Sequence, residues 1–527
     1  MNFNEYKYLD LPKISEEILS YWEKNEIFKK SVSKTSGKNP YIFFEGPRSA
    51  NGLPGIHHVL ARSIKDIFLR FKTMKGFYVQ RKAGWDTHGL PVELGVENSL
   101  GITKEDIGKK ISVEDYNEEC KKAVMKYTDI WNDLTLKMGY WVDVNNPYVT
   151  YTPKYMESVW WLLKQIYDKE LIYKGYTIQP YSPKAGTAIS SHELNQPGTY
   201  QDVSDTTVTA QFKLLNKNLP DFLNSDTDIF VIAWTTTPWT LPSNTALTVG
   251  PKIKYSLIRS FNQYTGIKAD YIVAEDLISK QFSNVYYESD NLQDLAEYEF
   301  NAKKIPFVKI NSFLGKELEN IKYEQLIDYA VPYENPKDAF RIILGDFVTT
   351  TDGTGIVHTA PTFGADDALV AKSAKPPVPP MLVKDSNGDL VPLVDLQGKF
   401  RPEMRELAGK FVKNEYYEKD NTPEKSVDVE IAIKLKTENK AFKVEKYKHS
   451  YPNCWRTDKP ILYYPIDSWF IKASSFRDKM VSLNKKINWK PKSTGEGRFE
   501  KWLENVNDWN LSRSRFWGIP LPIWRTE

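Results

Sequence analysis

The stretch FFEGPRSANGLPGIHHVLARSIKDIFLRFKTM, residues 43–74, decides how the first part of this chain folds. Its first half concentrates residues that form turns, namely Gly46, Pro47, Asn51, Gly52, Pro54 and Gly55. From His57 onward apolar residues recur at helical spacing, and Gly76 follows as a stop. The pattern predicts a strand end, a turn-rich loop and a helix. Because helix N-termini attract anions, the loop is either a nucleotide phosphate site or an ordinary strand-to-helix turn.

A second loop of the same kind follows in GFYVQRKAGWDTHGLPVELGVENSLG, residues 76–101. Residues 78–80 are predicted to form a short strand, and the next loop places Asp86 and His88 between glycines before another helix begins. Two successive strand–loop–helix units predict a parallel sheet with functional loops at the ends of its strands. Asp86 is either a functional carboxylate or a satisfied turn residue.

Composition limits the class of protein. With 527 residues the chain is too long for one core, and two to four domains are expected. The 71 Lys and Arg residues nearly balance the 68 Asp and Glu residues, so the net charge of +3 gives no argument for nucleic-acid binding. Two cysteines exclude a disulfide framework and suit a reducing cytoplasm. We find neither a secretory signal nor an apolar run of about 18 residues, so a cytoplasmic protein without a membrane segment is expected.

The middle of the chain changes character, with strand-like alternation and many turn residues between about 190 and 395. Two segments there carry polar groups, VIAWTTTPWTLPSNTALTVG at 231–250 and GDFVTTTDGTGIVHTAPTFGADDA at 345–368. Their hydroxyls, the His358 imidazole and the Asp367 carboxylate would suit a site that holds an amine and a hydrolytic water. The alternative is that threonine follows strand propensity and aspartate follows turns.

The flanking regions give weaker patterns. Residues 104–170 are helical in pattern, and residues 401–447 are rich in Lys and Glu with a helical tendency, which predicts a solvated return segment. Strand-like character resumes over residues 448–474.

Six motifs, taken in order, carry a resemblance to a known family. They are FFEGPRSANGLPGIHH, RKAGWDTHGLPVELGVE, WTTTPWTLPSNTAL, GTGIVHTAPTFGADDA, SYPNCWRTDKPILYY with SWFI, and NLSRSRFWGIPLPIW. The chain resembles class I aminoacyl-tRNA synthetases, and more narrowly isoleucyl-tRNA synthetases of the eukaryote-like type. The resemblance implies an α/β fold, in which a Rossmann-like parallel-sheet catalytic domain (1–190 and 399–527) is interrupted by a β-rich inserted editing domain (191–398).

The resemblance also implies an activation site. His57 and His58 would be catalytic, at the helix N-terminus that receives ATP and its Mg²⁺. The ATP-binding loop would comprise Gly46, Pro47, Arg48, Asn51, Gly52 and Gly55. Asp86 would hold the α-amino group of isoleucine, and the pocket walls would be Pro47, Trp469 and Trp517. Such a pocket cannot exclude a smaller side chain, a limit for which isoleucine and valine are the standard example.

That limit explains the second site that the resemblance implies. Hydrolytic editing of valyl-tRNA(Ile) would use Thr235, Thr236, Thr237, Asn244, His358 and Asp367. Asp367 would bind the amino group of valine, the threonines would position the terminal ribose and the water, and His358 would help to keep isoleucine out. The partners implied are tRNA(Ile), isoleucine and ATP, with the protein acting as a monomer.

Three departures from the family pattern qualify these expectations. The signature His-x-Gly-His reads Gly55-Ile56-His57-His58, and Arg48 stands where the loop normally carries proline. The Lys-Met-Ser-Lys-Ser loop is absent, so the chain is expected to be the N-terminal half of a longer enzyme, with weak or no ATP–pyrophosphate exchange by itself. No metal site is predicted, and zinc would belong only to the missing C-terminal part. The alternative is a truncated or inactive synthetase that only edits or binds aminoacyl-tRNA.

Overall fold

The computed structural model describes residues 5, 8–46, 48–215, 219–524 and 526, and only the backbone of residues 191 and 192. The chain forms two compact units. The first consists of Met1–Tyr173 and Phe470–Glu527, and the second is Lys174–Trp469. The second unit includes more residues on both sides than the range 191–398 predicted for the insertion. The functional assignment of the domains stays a prediction. The predicted fold class is confirmed, because an α/β unit is interrupted by a unit rich in strands.

The first unit is mainly helical. Its α-helices are Leu11–Lys24, Ile27–Ser33, Ile56–Met74, Leu90–Leu100, Val113–Val124, Thr128–Lys137, Pro153–Tyr167, Arg477–Asn484, Lys492–Thr494 and Glu500–Glu504. The helix predicted after the first loop is therefore confirmed. None of the helices in the described part of the chain has both the length and the hydropathy that crossing a membrane requires.

A parallel pair of strands lies in the first unit. Strand Lys82–Trp85 pairs with Asp143–Val149, and isolated parallel bridges join Pro40 to Tyr78 and Arg48 to Trp85. The predicted strand at 78–80 is therefore wrong by a few residues. The prediction of helix over 104–170 missed Asp143–Val149, whose polar sequence becomes a strand only through its pairing partner.

The apolar periodicity of Ile56–Met74 predicted the helix but not its buried face. Leu69 and Arg62 are its buried residues, whereas Leu60 and Phe68 are more than half exposed. Arg62 is tolerated inside because its Nη1 donates a hydrogen bond to Thr135 Oγ1 at 2.6 Å.

The second unit is built on one large mixed sheet. Its main path orders the strands Tyr286–Glu288, Ile305–Leu314, Lys254–Phe261, Lys268–Ala274, Ile229–Thr235, Ile356–Thr359, Ala246–Val249 and Arg341–Leu344. The long strand Tyr200–Lys213 pairs antiparallel with Ile229–Thr235 on one side and with Ala441–Cys454 on the other. Shorter strands are Thr187–Ala188, Leu382–Lys384, Leu390–Pro392 and Lys459–Pro460, and Ile172–Ser182 and Leu462–Ile471 carry the chain between the units.

Helices are few and short in the second unit. They are Ser191–Leu194, Ile278–Gln281, Leu292–Ala296, Ala365–Ser373 and Val427–Thr437. The segment 401–447 has the predicted helical tendency in Val427–Thr437, and most of its residues are at least partly exposed, but the prediction of a solvated segment missed its buried apolar side chains. Met404, Ile431, Leu435 and Phe442 are fully buried in the core of this unit. Their apolar side chains are widely spaced among lysines and glutamates, so composition concealed a buried face.

Candidate functional site

The first loop delivers two imidazoles to the start of helix Ile56–Met74. The backbone N–H of Gly55 donates to His58 Nδ1 at 2.8 Å, so this nitrogen accepts and the proton of the neutral ring lies on Nε2. Partial burial, then the charges of His57, Arg48 and Arg62, lower the pKa of His58. The two imidazole centroids are 3.8 Å apart. His58 is therefore neutral at physiological pH, with an N–H left to donate.

Arg48, the residue that departs from the family pattern, turns toward the protein. Its guanidinium lies 5.5 Å from the centroid of Trp131, whose Nε1 donates to the carbonyl of Gly52 at 2.8 Å. Burial lowers the pKa of Arg48, against the opposing effect of Glu45. Its Nη1 is buried and has no hydrogen-bond partner among the described residues. Arg48 thus stacks inside the loop and keeps one unpaired donor.

The structure brings Asp86 and Trp517 to this same loop system. The N–H of Asp86 donates to the carbonyl of Arg48 at 2.7 Å, and Trp517 Nε1 donates to the carbonyl of Thr87 at 2.5 Å. Asp86 is accessible to solvent, yet desolvation by its surroundings raises the pKa of its carboxyl, and the backbone N–H of His88 opposes this. Of the other predicted pocket walls, Trp469 belongs to the second unit. Pro47 lies outside the described residues.

One buried carboxylate holds the segment that carries Trp517. Glu93 is 1% exposed and accepts hydrogen bonds from Arg515 Nε at 2.6 Å and from the backbone N–H groups of Phe516 at 3.0 Å and Trp517 at 2.8 Å. Arg515 also donates to Glu97. A charge buried in this way is stable only with such complete pairing, so Glu93 fixes residues 515–517 against helix Leu90–Leu100.

In the second unit, most of the predicted editing residues line one cavity of about 460 Å³. Those that line it are Thr235, Thr236, Thr237, His358 and Asp367. Asn244 is buried beside His358 and is not part of the cavity wall. Strands Ile229–Thr235 and Ile356–Thr359 are neighbours in the sheet, so their ends place the threonines and the histidine side by side.

Two acidic residues, Asp352 and Asp367, are among the described residues that line this cavity. Oδ2 of Asp367 accepts a hydrogen bond from the N–H of Ala360 at 2.8 Å, and burial raises the pKa of this carboxyl to about 6. A β-carbon at Gly364 would lie 2.6 Å from Asp367 Oδ2, so glycine is required there for the carboxylate to pack against the backbone. The arrangement provides an anchored carboxylate facing the cavity.

His358 is buried, and both of its ring nitrogens have partners within the protein. Nδ1 lies 2.8 Å from Asn244 Nδ2, and Nε2 lies 3.0 Å from Thr240 Oγ1. Burial lowers the pKa of His358 to about 4, so the ring is neutral at physiological pH. Asn244 in turn accepts a hydrogen bond from the Tyr323 hydroxyl at 2.6 Å.

A comparison with models of known protein families shows to which family the chain belongs. The family model described as tRNA synthetases class I (I, L, M and V) matches residues 17–527. The chain belongs to the class I tRNA synthetases. The match covers residues of both units described above.

Curated relatives of this synthetase narrow the comparison. The chain is 57% identical over 541 residues to an isoleucine–tRNA ligase of Bacteroides fragilis, with 100% of the chain and 46% of the relative covered. It is 57% identical to one of Cytophaga hutchinsonii, with 100% and 47% covered, and 42% identical to one of Treponema denticola, with 98% and 44% covered. The chain thus spans about half the length of the curated relatives it matches.

Sequence reasoning missed three residues of this synthetase that the structure places at the two sites, namely Glu93, Thr240 and Tyr323. Glu93 left one signal, a carboxylate between the apolar residues of Leu-Pro-Val-Glu-Leu. Thr240 stands in the quoted WTTTPWTLPSNTAL motif, but nothing separates it from its three threonine neighbours. Tyr323 gave no signal, because it reaches Asn244 only through the folded core.

Proposed function

We propose that this chain contains the activating and editing parts of an isoleucine–tRNA ligase. It would use ATP to activate isoleucine, attach the residue to tRNA(Ile), and hydrolyse valyl-tRNA(Ile). The observation that carries the proposal is the convergence of three threonines, a neutral histidine and an anchored aspartate on one cavity. The relatives named isoleucine–tRNA ligase, which match the whole chain, support the choice of amino acid.

In activation, a carboxylate oxygen of isoleucine forms a bond to the α-phosphorus of ATP, and the bond to pyrophosphate breaks with its electron pair. Negative charge builds on the phosphoryl oxygens, and the Nε2–H of His58 and the amides that start helix Ile56–Met74 would stabilise it. His57 lies beside His58 with the two rings tilted by 41°, and the buried donor of Arg48 would add to the positive end of this site. Asp86 would hold the ammonium group of isoleucine.

The loop residues Gly46, Asn51, Gly52 and Gly55 would let the ATP phosphates approach the backbone, and Pro47 stays a prediction of the same kind. A Mg²⁺ ion in such a site would be bound mainly through phosphate oxygens and water. Mg²⁺ would neutralise charge on the triphosphate.

The swapped signature gives a test of the ATP loop. Replacing Gly55 with alanine would put a β-carbon 2.9 Å from His57 Cε1, so His57 must move away from His58. We expect ATP to bind roughly tenfold more weakly, because about one hydrogen bond to phosphate is lost. Isothermal titration calorimetry checks this. Gly95→Ala, at an exposed position of helix Leu90–Leu100, is the control, since no atom lies within 4 Å of its added β-carbon, and equal affinities for the two variants would contradict the assignment.

In editing, a water oxygen attacks the ester carbonyl carbon of valyl-tRNA, and the bond to the terminal ribose oxygen breaks. Asp367 would hold the valine ammonium group, and Thr235, Thr236 and Thr237 would position the ribose and the water. His358 lines the cavity, and its side chain would help to keep isoleucine out.

Deacylation assays test the proposed function directly. We expect the chain to hydrolyse valyl-tRNA(Ile) much faster than isoleucyl-tRNA(Ile), and Thr236→Ala to lose most of this rate. Thr437→Ala, on the exposed side of a helix, is the control and should keep it. Isoleucine-dependent ATP–pyrophosphate exchange measures the activating part separately. Hydrolysis of neither ester, or equal hydrolysis of both, would contradict the editing assignment.

A further inference from the structure

A chain of hydrogen bonds runs from the core of the second unit to the wall of the cavity that Thr235, Thr236 and Thr237 line. It joins Tyr323, Asn244, His358, Thr240 and Thr237, and the distances between successive polar atoms are 2.6, 2.8, 3.0 and 2.8 Å. Tyr323 and Asn244 are each 2% exposed, and Thr240 and His358 are each 8% exposed. Tyr323 and Asn244 are closed to water, and His358 and Thr240 expose only a small part of their surface to the cavity, so the protons are assigned from the contacts within the network.

The orientation of the Asn244 amide is fixed first. Its Nδ2 lies 2.8 Å from the carbonyl of Ala246 and 3.4 Å from the carbonyl of Thr359, and carbonyls only accept. A flipped amide would direct its oxygen at both of them. On the other side, Oδ1 accepts the hydroxyl proton of Tyr323. The second Nδ2 hydrogen therefore points at His358 Nδ1, which must be unprotonated.

The other end of the network requires the same assignment independently. Thr240 Oγ1 lies 2.8 Å from the carbonyl of Thr237, so the single hydroxyl proton of Thr240 is used there. Oγ1 must then accept from His358 Nε2, which has to carry a proton. Two separate arguments thus give the same tautomer.

We infer that Tyr323 and Asn244 hold His358 as the Nε2–H tautomer, and that His358 positions the turn Thr237–Thr240 rather than acting as a base. The basic nitrogen of the ring faces Asn244, and the other nitrogen donates to Thr240, so neither is available to a water molecule in the cavity. Tyr323 is a positioning residue in this scheme. Its effect on editing rests on the proposed function, but the tautomer itself does not.

The tautomer is measurable in the unmodified protein. With ¹⁵N-labelled histidine, two-bond ¹H–¹⁵N correlation spectra distinguish a protonated from an unprotonated ring nitrogen. The chain has six histidines, and the signal lost in His358→Gln identifies the residue. At pH 7 we expect protonated Nε2 and unprotonated Nδ1. An Nδ1–H ring or a doubly protonated ring would overturn the inference without any need for a variant to fold.

The role of Tyr323 is tested by Tyr323→Phe, which removes only the hydroxyl. Asn244 then loses the donor to its oxygen and is held less firmly, so we expect the His358 Nδ1 signal to shift and valyl-tRNA(Ile) hydrolysis to fall roughly tenfold. Tyr271→Phe is the matched control, because Tyr271 is fully buried and its hydroxyl has no partner among the described residues. An unchanged His358 spectrum in Tyr323→Phe would overturn the positioning role. If the wild-type protein gives the expected His358 spectrum but hydrolyses no valyl-tRNA(Ile), the inferred tautomer stands and the proposed function is refuted.

Discussion

Replacing Asp367 with alanine is expected to lower the rate of valyl-tRNA(Ile) hydrolysis roughly a hundredfold. The carboxylate is anchored by the N–H of Ala360 and faces the cavity, so its loss would leave the substrate ammonium group desolvated and unpaired. Removing one member of a buried charge pair costs about 2–5 kcal/mol, and about 1.4 kcal/mol corresponds to tenfold in rate. Single-turnover deacylation with radiolabelled valyl-tRNA(Ile) measures the change.

The neighbouring Asp366 supplies the control, because its side chain is exposed and does not line the cavity. Asp366→Ala should keep nearly the full rate. An Asp367→Ala variant as active as Asp366→Ala would show that this carboxylate does not hold the amino group.

The same carboxylate predicts a pH dependence. Burial raises the pKa of Asp367 to about 6, so the group is ionised above that pH and neutral below it. Because only the ionised form attracts ammonium, we expect kcat/KM for deacylation to fall as the pH drops through about 6. Asp366→Ala should retain this fall, whereas the residual activity of Asp367→Ala should not show it. A wild-type profile that stays flat between pH 5 and pH 7 would refute this role.

Replacing Glu93 with alanine is expected to destabilise the first unit strongly. The substitution removes the acceptor of Arg515 Nε and of two backbone N–H groups, all in a buried setting. Breaking a buried ion pair by removing one partner costs about 3–5 kcal/mol when the other charge stays unpaired. Arg515 keeps its contact with Glu97, so a loss of about 3 kcal/mol, at the lower end of this range, is expected. Segment 515–517 should detach from helix Leu90–Leu100, and Trp517 should lose its place beside Thr87.

Urea unfolding followed by circular dichroism measures the loss of stability. Weaker binding of isoleucine, measured by isothermal titration calorimetry, reports the displaced Trp517. Glu118→Gln is the control, because it breaks only an exposed ion pair with Lys121, for which less than about 0.5 kcal/mol is expected. Equal unfolding midpoints for the two variants would show that Glu93 does not hold residues 515–517 against helix Leu90–Leu100.

Much of the fold was predictable because its signals are local. The helix Ile56–Met74 follows from apolar residues three and four apart, and the strand-rich unit follows from alternation and turn residues. The predictions failed where tertiary contacts outweigh local pattern. Strand Asp143–Val149 exists through its pairing with Lys82–Trp85, and the segment 401–447 buries apolar side chains in the core although its composition is that of a solvated surface.

By itself, the sequence determined the family and the identity of the candidate residues, because motifs such as GWDTHGLPVE and WTTTPWTLPSN are contiguous in the chain. Only the tertiary structure decided how those residues are used. Glu93 meets Arg515 across 422 positions, and Tyr323 meets Asn244 across 79. The direction of Arg48 toward Trp131 and the proton on Nε2 of His58 likewise depend on neighbours that folding brings close. The protonation and direction of a buried group depend on which partners share its dehydrated space, and folding alone brings those partners together.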